Sequence, residues 1–142
     1  MVTLMQDALG LLINSDEVRG EMVYRILILE DEILIADVME DMVRELGYEV
    51  SGSAHTRTAA LEAIDRNDFD IALVDMSMDG KDFPEVPDRL MELDRPFAFV
   101  SGYHRAREAR HAHIEILLKP FRPEDLKKVL ASLSEAAATK PQ

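Results

Sequence analysis

Five polar residues in this chain stand where runs of apolar residues stop: the acidic pair Glu30-Asp31, then Asp75, Ser101 and Lys119. The runs before them are Arg-Ile-Leu-Ile-Leu, Ile-Ala-Leu-Val, Phe-Ala-Phe-Val and Ile-Leu-Leu. Runs of this length, rich in Ile, Val and Phe, read as buried strands. Polar residues at the carboxyl ends of parallel strands converge on a shared crevice. Three carboxylates, a hydroxyl and an ammonium would then face one another, which suits a divalent metal and a phosphoryl group. Mg²⁺ takes octahedral oxygen ligands and keeps several waters. Asp31 and Asp75 are the candidates to bind Mg²⁺ (or Mn²⁺) directly, with Glu30 acting through water and the Ser77 backbone carbonyl as a further oxygen. An Asp carboxylate also serves as a nucleophile toward phosphorus. Asp75, placed between the metal and Lys119, is the candidate acceptor, and Lys119 would hold another phosphoryl oxygen. Any one of these carboxylates alone is explained as a helix cap. Their joint arrival at successive strand ends is what argues for a site.

The elements that position them alternate. Strands are predicted at Tyr24–Leu29, Glu49–Ala54, Ile71–Val74, Pro96–Val100 and Ile114–Leu118. A helix is predicted at Ile33–Leu46, with Ile35, Val38, Met39, Met42, Val43 and Leu46 on its apolar side and Gly47 ending it. Thr56 is placed to cap a second helix running through Asp65. A loop with Gly80, Pro84 and Pro87 leads to a short helix near Asp88–Leu93, and a brief helix is expected at Arg105–Ala109. Pro123 opens the last helix. Strand–helix alternation of this kind gives an α/β fold, a doubly wound parallel sheet with helices on both faces. The expected strand order is 2-1-3-4-5, with the crevice where strands one and three diverge. Residues 1–22 form an N-terminal extension with Leu4, Ala8, Leu11 and Leu12 at helical spacing. It is a candidate for pairing with a partner or a second copy of the chain. The main domain is expected at 23–135 and a flexible tail at 136–142.

Composition narrows the function classes. The 142 residues suffice for one domain with a real core. A net charge of −12 argues against a nucleic-acid partner, because phosphate backbones require a basic footprint. No apolar run approaches the ~20 residues that span a bilayer. The start, Met-Val-Thr-Leu-Met-Gln-Asp, lacks the basic region of a secretory signal. The absence of cysteine excludes disulfides and thiolate metal sites and fits a reducing, cytoplasmic compartment.

Four segments together resemble the response-regulator receiver domains of two-component signalling: Leu-Ile-Leu-Glu30-Asp31-Glu32, Leu-Val-Asp75-Met-Ser-Met-Asp-Gly80, Phe-Val-Ser101-Gly-Tyr103 and Leu-Leu-Lys119-Pro120-Phe121. The resemblance covers about residues 24–134 and implies a flavodoxin-like fold. It implies that Glu30 and Asp31 form the metal-binding acidic pair and that Asp75 accepts phosphoryl from a phosphohistidine. The donor would be a sensor histidine kinase or a histidine phosphotransfer protein, and another regulator is a further expected partner. Ser101 would be the switch hydroxyl, and Lys119 the family's lysine with a cis bond to Pro120. The segment Pro96-Phe-Ala-Phe-Val-Ser101-Gly-Tyr103 is similar to the single-domain alphaproteobacterial receivers with a Phe-Ala-Thr-Gly-Tyr motif, tied to stress-response phosphorelays. By that resemblance the chain is a stand-alone module without an output domain, catalysing only its own phosphorylation and dephosphorylation.

Three departures bear on mechanism, the first being Glu30 in place of the commoner Asp of the acidic pair. Ile116 stands where many receivers carry an aromatic residue that moves with the switch hydroxyl. Tyr103 is a candidate substitute, or a shield of the phosphate from water. The interval from Ser101 to Lys119 is short, so the helix within it should be short or irregular. Ile116 and the N-terminal extension leave room for a phosphorylation-independent adaptor on the same fold. A phosphatase using an Asp nucleophile is disfavoured, since Ser77 stands where a second Asp would protonate the leaving group. A site built on His111 and His113 is disfavoured as well, because other ligands are missing at metal-site spacing.

Overall fold

The computed structural model describes residues 23–76, 78, 83–102 and 107–139. Five strands form one sheet: β1 (Arg25–Leu29), β2 (Glu49–Ala54), β3 (Ile71–Asp75), β4 (Phe97–Ser101) and β5 (Ile116–Leu118). The order is β2-β1-β3-β4-β5, and every neighbouring pair is parallel. Helices α1 (Ile33–Glu45), α2 (Arg57–Arg66), α3 (Glu85–Glu92) and α4 (Pro123–Ala138) connect or follow the strands, and a 3-10 turn spans Ala109–His111. The flavodoxin-like architecture and strand order expected from the alternation are therefore present.

Side chains alternate across the sheet and bury both faces of its centre, which is why β1, β3 and β4 read as apolar runs. Ile26, Ile28, Ile71 and Leu73 point to one side, against Met39 and Val43 of α1 and Leu126, Val129 and Leu130 of α4. Leu27, Leu29, Ala72 and Val74 point to the other, against Ala60 and Ile64 of α2 and Val86 and Leu90 of α3. Register between β1 and β2 slips after Ile26, so that Leu27 lies opposite Gly52.

Local signals account for three of the helix ends. Thr56 accepts a hydrogen bond from the Ala59 amide at 3.1 Å and caps α2. Gly47, at φ 98°, ends α1 in a conformation that side chains with a Cβ resist. Pro123 opens α4, where the Asp125 carboxylate accepts from the Arg122 amide at 2.9 Å.

The boundaries differ from expectation in instructive places. Helix α3 begins at Glu85 rather than Asp88, with Pro87 inside its first turn. The first amides of a helix need no intrahelical partner, so proline is tolerated there. Strand β5 begins at Ile116 rather than Ile114, because the Ile114 amide bonds back to the His111 carbonyl at 3.1 Å and closes the 3-10 turn. The brief helix expected at Arg105–Ala109 falls partly outside the described residues, and the described turn lies later, at Ala109–His111. Helix α4 runs to Ala138, as an alanine run favours. The N-terminal extension lies outside the described residues. No helix among the described residues is long and apolar enough to cross a membrane.

Candidate functional site

The ends of four adjacent strands carry the polar residues singled out above. Glu30 follows β1, Asp75 ends β3, Ser101 ends β4 and Lys119 follows β5. Backbone bonds hold these ends in step. The Glu30 amide donates to Ala54 at 3.1 Å, the Met76 amide to Val100 at 3.1 Å, and the Lys119 amide to Ser101 at 2.7 Å. In-register parallel strands thus bring residues distant in sequence to one edge.

Carboxylate oxygens of Glu30, Asp31 and Asp75 all lie within 4.8 Å of one another. Three like charges so close repel, and an all-oxygen set of this kind fits a hard divalent cation such as Mg²⁺. Glu30 is the buried member, only 1% exposed. Its Oε1 accepts from the Lys119 ammonium at 2.9 Å and its Oε2 from the Glu32 amide at 3.1 Å. Desolvation pulls the Lys119 pKa down, but the hydrogen bond its ammonium donates to Glu30 and the charges of Glu30, Asp75 and Glu32 outweigh it. The net shift is upward. Lys119 therefore stays charged across the physiological range. Ser101 is buried at the end of β4. His55 was not singled out from the sequence. Its Nδ1 lies 3.0 Å from the Glu30 carbonyl, so it braces the backbone of the acidic pair.

Of the remaining candidates, Ser77 and Tyr103 lie outside the described residues. Ile116 pairs with Phe99 across the β4–β5 ladder and is half-buried against the α2–α3 side of the core. The Lys119–Pro120 peptide is cis, as the resemblance implied. His111 and His113 do not converge on a ligand set. His111 is buried with Nε2 2.7 Å from Asp88 Oδ1, while His113 is exposed. The apolar residue before the 3-10 turn's partner Asp88, Pro87, gave no hint of this contact, since 23 residues separate Asp88 from His111.

Comparison with known proteins agrees with this geometry. The chain is 32% identical over 120 residues to the phyllosphere-induced regulator PhyR of Methylorubrum extorquens, covering 81% of this chain and 45% of that protein. A solved structure of the PhyR stress response regulator superposes with a TM-score of 0.70 at 30% identity, over 89% of this chain and 50% of that one. The solution structure of SdrG from Sphingomonas melonis Fr1 superposes with a TM-score of 0.70 at 32% identity, over 78% of this chain and 96% of that one. This chain thus spans about half the length of PhyR and nearly all of SdrG. The sequence profile described as the response regulator receiver domain matches residues 26–131, and the chain belongs to that family of two-component signalling proteins.

Proposed function

We propose that this receiver domain takes a phosphoryl group onto Asp75 from a phosphohistidine, and passes the signal on through protein contacts. The observation that carries this reading is the meeting of Glu30, Asp31 and Asp75 within 4.8 Å beside the Lys119 ammonium. Bound Mg²⁺, held by Asp31 and Asp75 with Glu30 nearby, would supply charge neutralisation for the transferring oxygens. The chain does the rest. An Asp75 carboxylate oxygen attacks phosphorus as the P–N bond to the donor imidazole breaks, and the imidazole leaves with the bonding pair. Lys119 donates to one phosphoryl oxygen, and the Ser101 hydroxyl turns toward another. The new group brings nearly two negative charges into an acidic crevice, which biases the loop after β4. A partner that distinguishes the two states converts this bias into output. The donor is a sensor histidine kinase or a histidine phosphotransfer protein, and the downstream partner is another regulator. The chain's likeness to the PhyR stress response regulator supports a place in a stress-response phosphorelay.

A second reading is a phosphorylation-independent adaptor. It is favoured by Ile116, which occupies the position of the usual moving aromatic, and by the commitment of Glu30 to Lys119. Intact mass after incubation with Mg²⁺ and a small-molecule phosphodonor separates the two. One phosphoryl on the native chain, absent from Asp75→Ala and absent without Mg²⁺, supports the first. No adduct and no Mg²⁺ binding overturns it in favour of the adaptor.

A further inference from the structure

Residues 107–111, ahead of β5, line one side of a cavity of about 360 Å³ beside Asp75. Apolar walls come from β3, β4 and the start of α3, among them Val74, Phe83 and Phe99. The wall opposite is this segment, with Arg107, Glu108 and His111. Arg107 is half-buried there. Its Nη2 donates to the Ala112 carbonyl at 2.7 Å, which orients the guanidinium. Its buried Nε has no hydrogen-bond partner among the described residues. A buried donor left unpaired is costly, and guanidinium is the side chain best suited to an oxyanion. The other polar groups of this wall are spoken for. Glu108 accepts from Arg110 at 3.3 Å, and His111 faces Asp88.

The segment is held in place by Asp88 of α3. Its two carboxylate oxygens accept from Arg110 Nε at 2.7 Å and Arg110 Nη2 at 2.8 Å, and His111 Nε2 lies 2.7 Å from the same carboxylate. The His111 ring also stands edge-on to Phe99, with centroids 6.2 Å apart. This clasp fixes the turn at Ala109–His111, and with it the base from which Arg107 reaches the cavity.

We propose that Arg107 is a second phosphoryl-contacting cation, held over the Asp75 cavity by the Asp88 clasp. The inference rests on phosphorylation of Asp75. Charge counting supports it. With Asp75 phosphorylated, the three acidic positions carry about −4, while Mg²⁺ and Lys119 supply +3. Lys119, moreover, already shares its ammonium with Glu30. Arg107 makes up the difference from the opposite side. Asp88 is a positioning residue, acting through Arg110 and His111.

The test is binding of beryllofluoride, a phosphoryl mimic, to the full chain in Mg²⁺, with Mg²⁺ affinity measured separately. Arg107→Gln should weaken beryllofluoride binding about tenfold and leave Mg²⁺ affinity within twofold. Arg107→Lys should recover part of the loss, and Asp88→Asn should reproduce part of it. Arg44→Gln, an equal charge change on α1 far from the cavity, should bind as the native chain does. Hydrogen exchange across β1 and β3 shows whether each variant is folded. Native binding with Arg107→Gln within twofold of it overturns the inference. An Asp88→Asn chain that binds natively overturns the positioning role. A native chain that binds neither beryllofluoride nor phosphoryl overturns the reading of Asp75 itself.

Discussion

Removal of the Lys119 ammonium probes the arrangement at its most buried point. In Lys119→Met the carboxylate of Glu30, 1% exposed, keeps among the described residues only the Glu32 amide and still faces Asp31 and Asp75. Breaking one side of a buried pair costs about 3–5 kcal/mol. Lys119 is itself 23% exposed, so water moderates the loss, and about 3 kcal/mol is expected. With a urea m-value of about 1.5 kcal/mol/M for a domain of this size, the midpoint should fall by about 2 M in EDTA at pH 7. Millimolar Mg²⁺ should restore much of the difference, since the variant's acidic cluster has lost its resident cation. Lys119→Met combined with Glu30→Gln should cost less than the sum of the single changes, with a coupling of about 1–3 kcal/mol. The pH dependence has a defined sign. The raised folded pKa of Lys119 makes its contribution complete below the ordinary value of 10.5, and the contribution is lost as pH climbs through the higher folded value. The gap between native and variant should therefore hold steady from pH 7 to 10. A Lys119→Met midpoint within 0.3 M of native, with additive double-variant behaviour, would refute the reasoning that ties Lys119 to a buried Glu30.

Three further expectations follow from the same contacts. Asp75→Asn relieves repulsion among carboxylates within 4.8 Å, so it should raise the urea midpoint in EDTA, by about 1 kcal/mol in stability. It should also shrink the stabilisation gained on adding Mg²⁺. The Arg110 guanidinium beside Asp88, opposed by partial burial and aided by His111, holds the Asp88 carboxyl down at about 2 against an ordinary 3.8. Its contribution is complete above pH 4 and lost as pH falls toward 2, so urea midpoints of native and Asp88→Asn should differ at pH 5 and converge near pH 2. Thr56→Ala removes the cap on the Ala59 amide and should cost about 1 kcal/mol in thermal or urea unfolding.

Several residues announced their structural role locally. Thr56 and Gly47 mark helix ends, because a hydroxyl before an amide-rich turn and a residue free to take positive φ have few competing uses. Pro87 misled the reading of α3, since a proline in the first helical turn looks in sequence like one in a loop. The end of β5 was legible and its start was not. Ile114 is as apolar as Ile116, and only its bond to the His111 carbonyl removes it from the ladder.

The apolar runs and their polar stops determined, by themselves, that Glu30, Asp31, Asp75, Ser101 and Lys119 sit at strand ends. A strand buried on both faces needs an uninterrupted apolar run, and the break in that run is visible one residue at a time. Tertiary structure alone decided which of these groups touch. Lys119 chose Glu30 across 89 residues of chain, and Asp88 took Arg110 and His111 into one clasp. Such pairings depend on strand register and helix rotation, which fix distances to a fraction of an ångström. Periodicity carries no information at that scale, because many partners of the right charge lie within reach of each strand end until the core has packed.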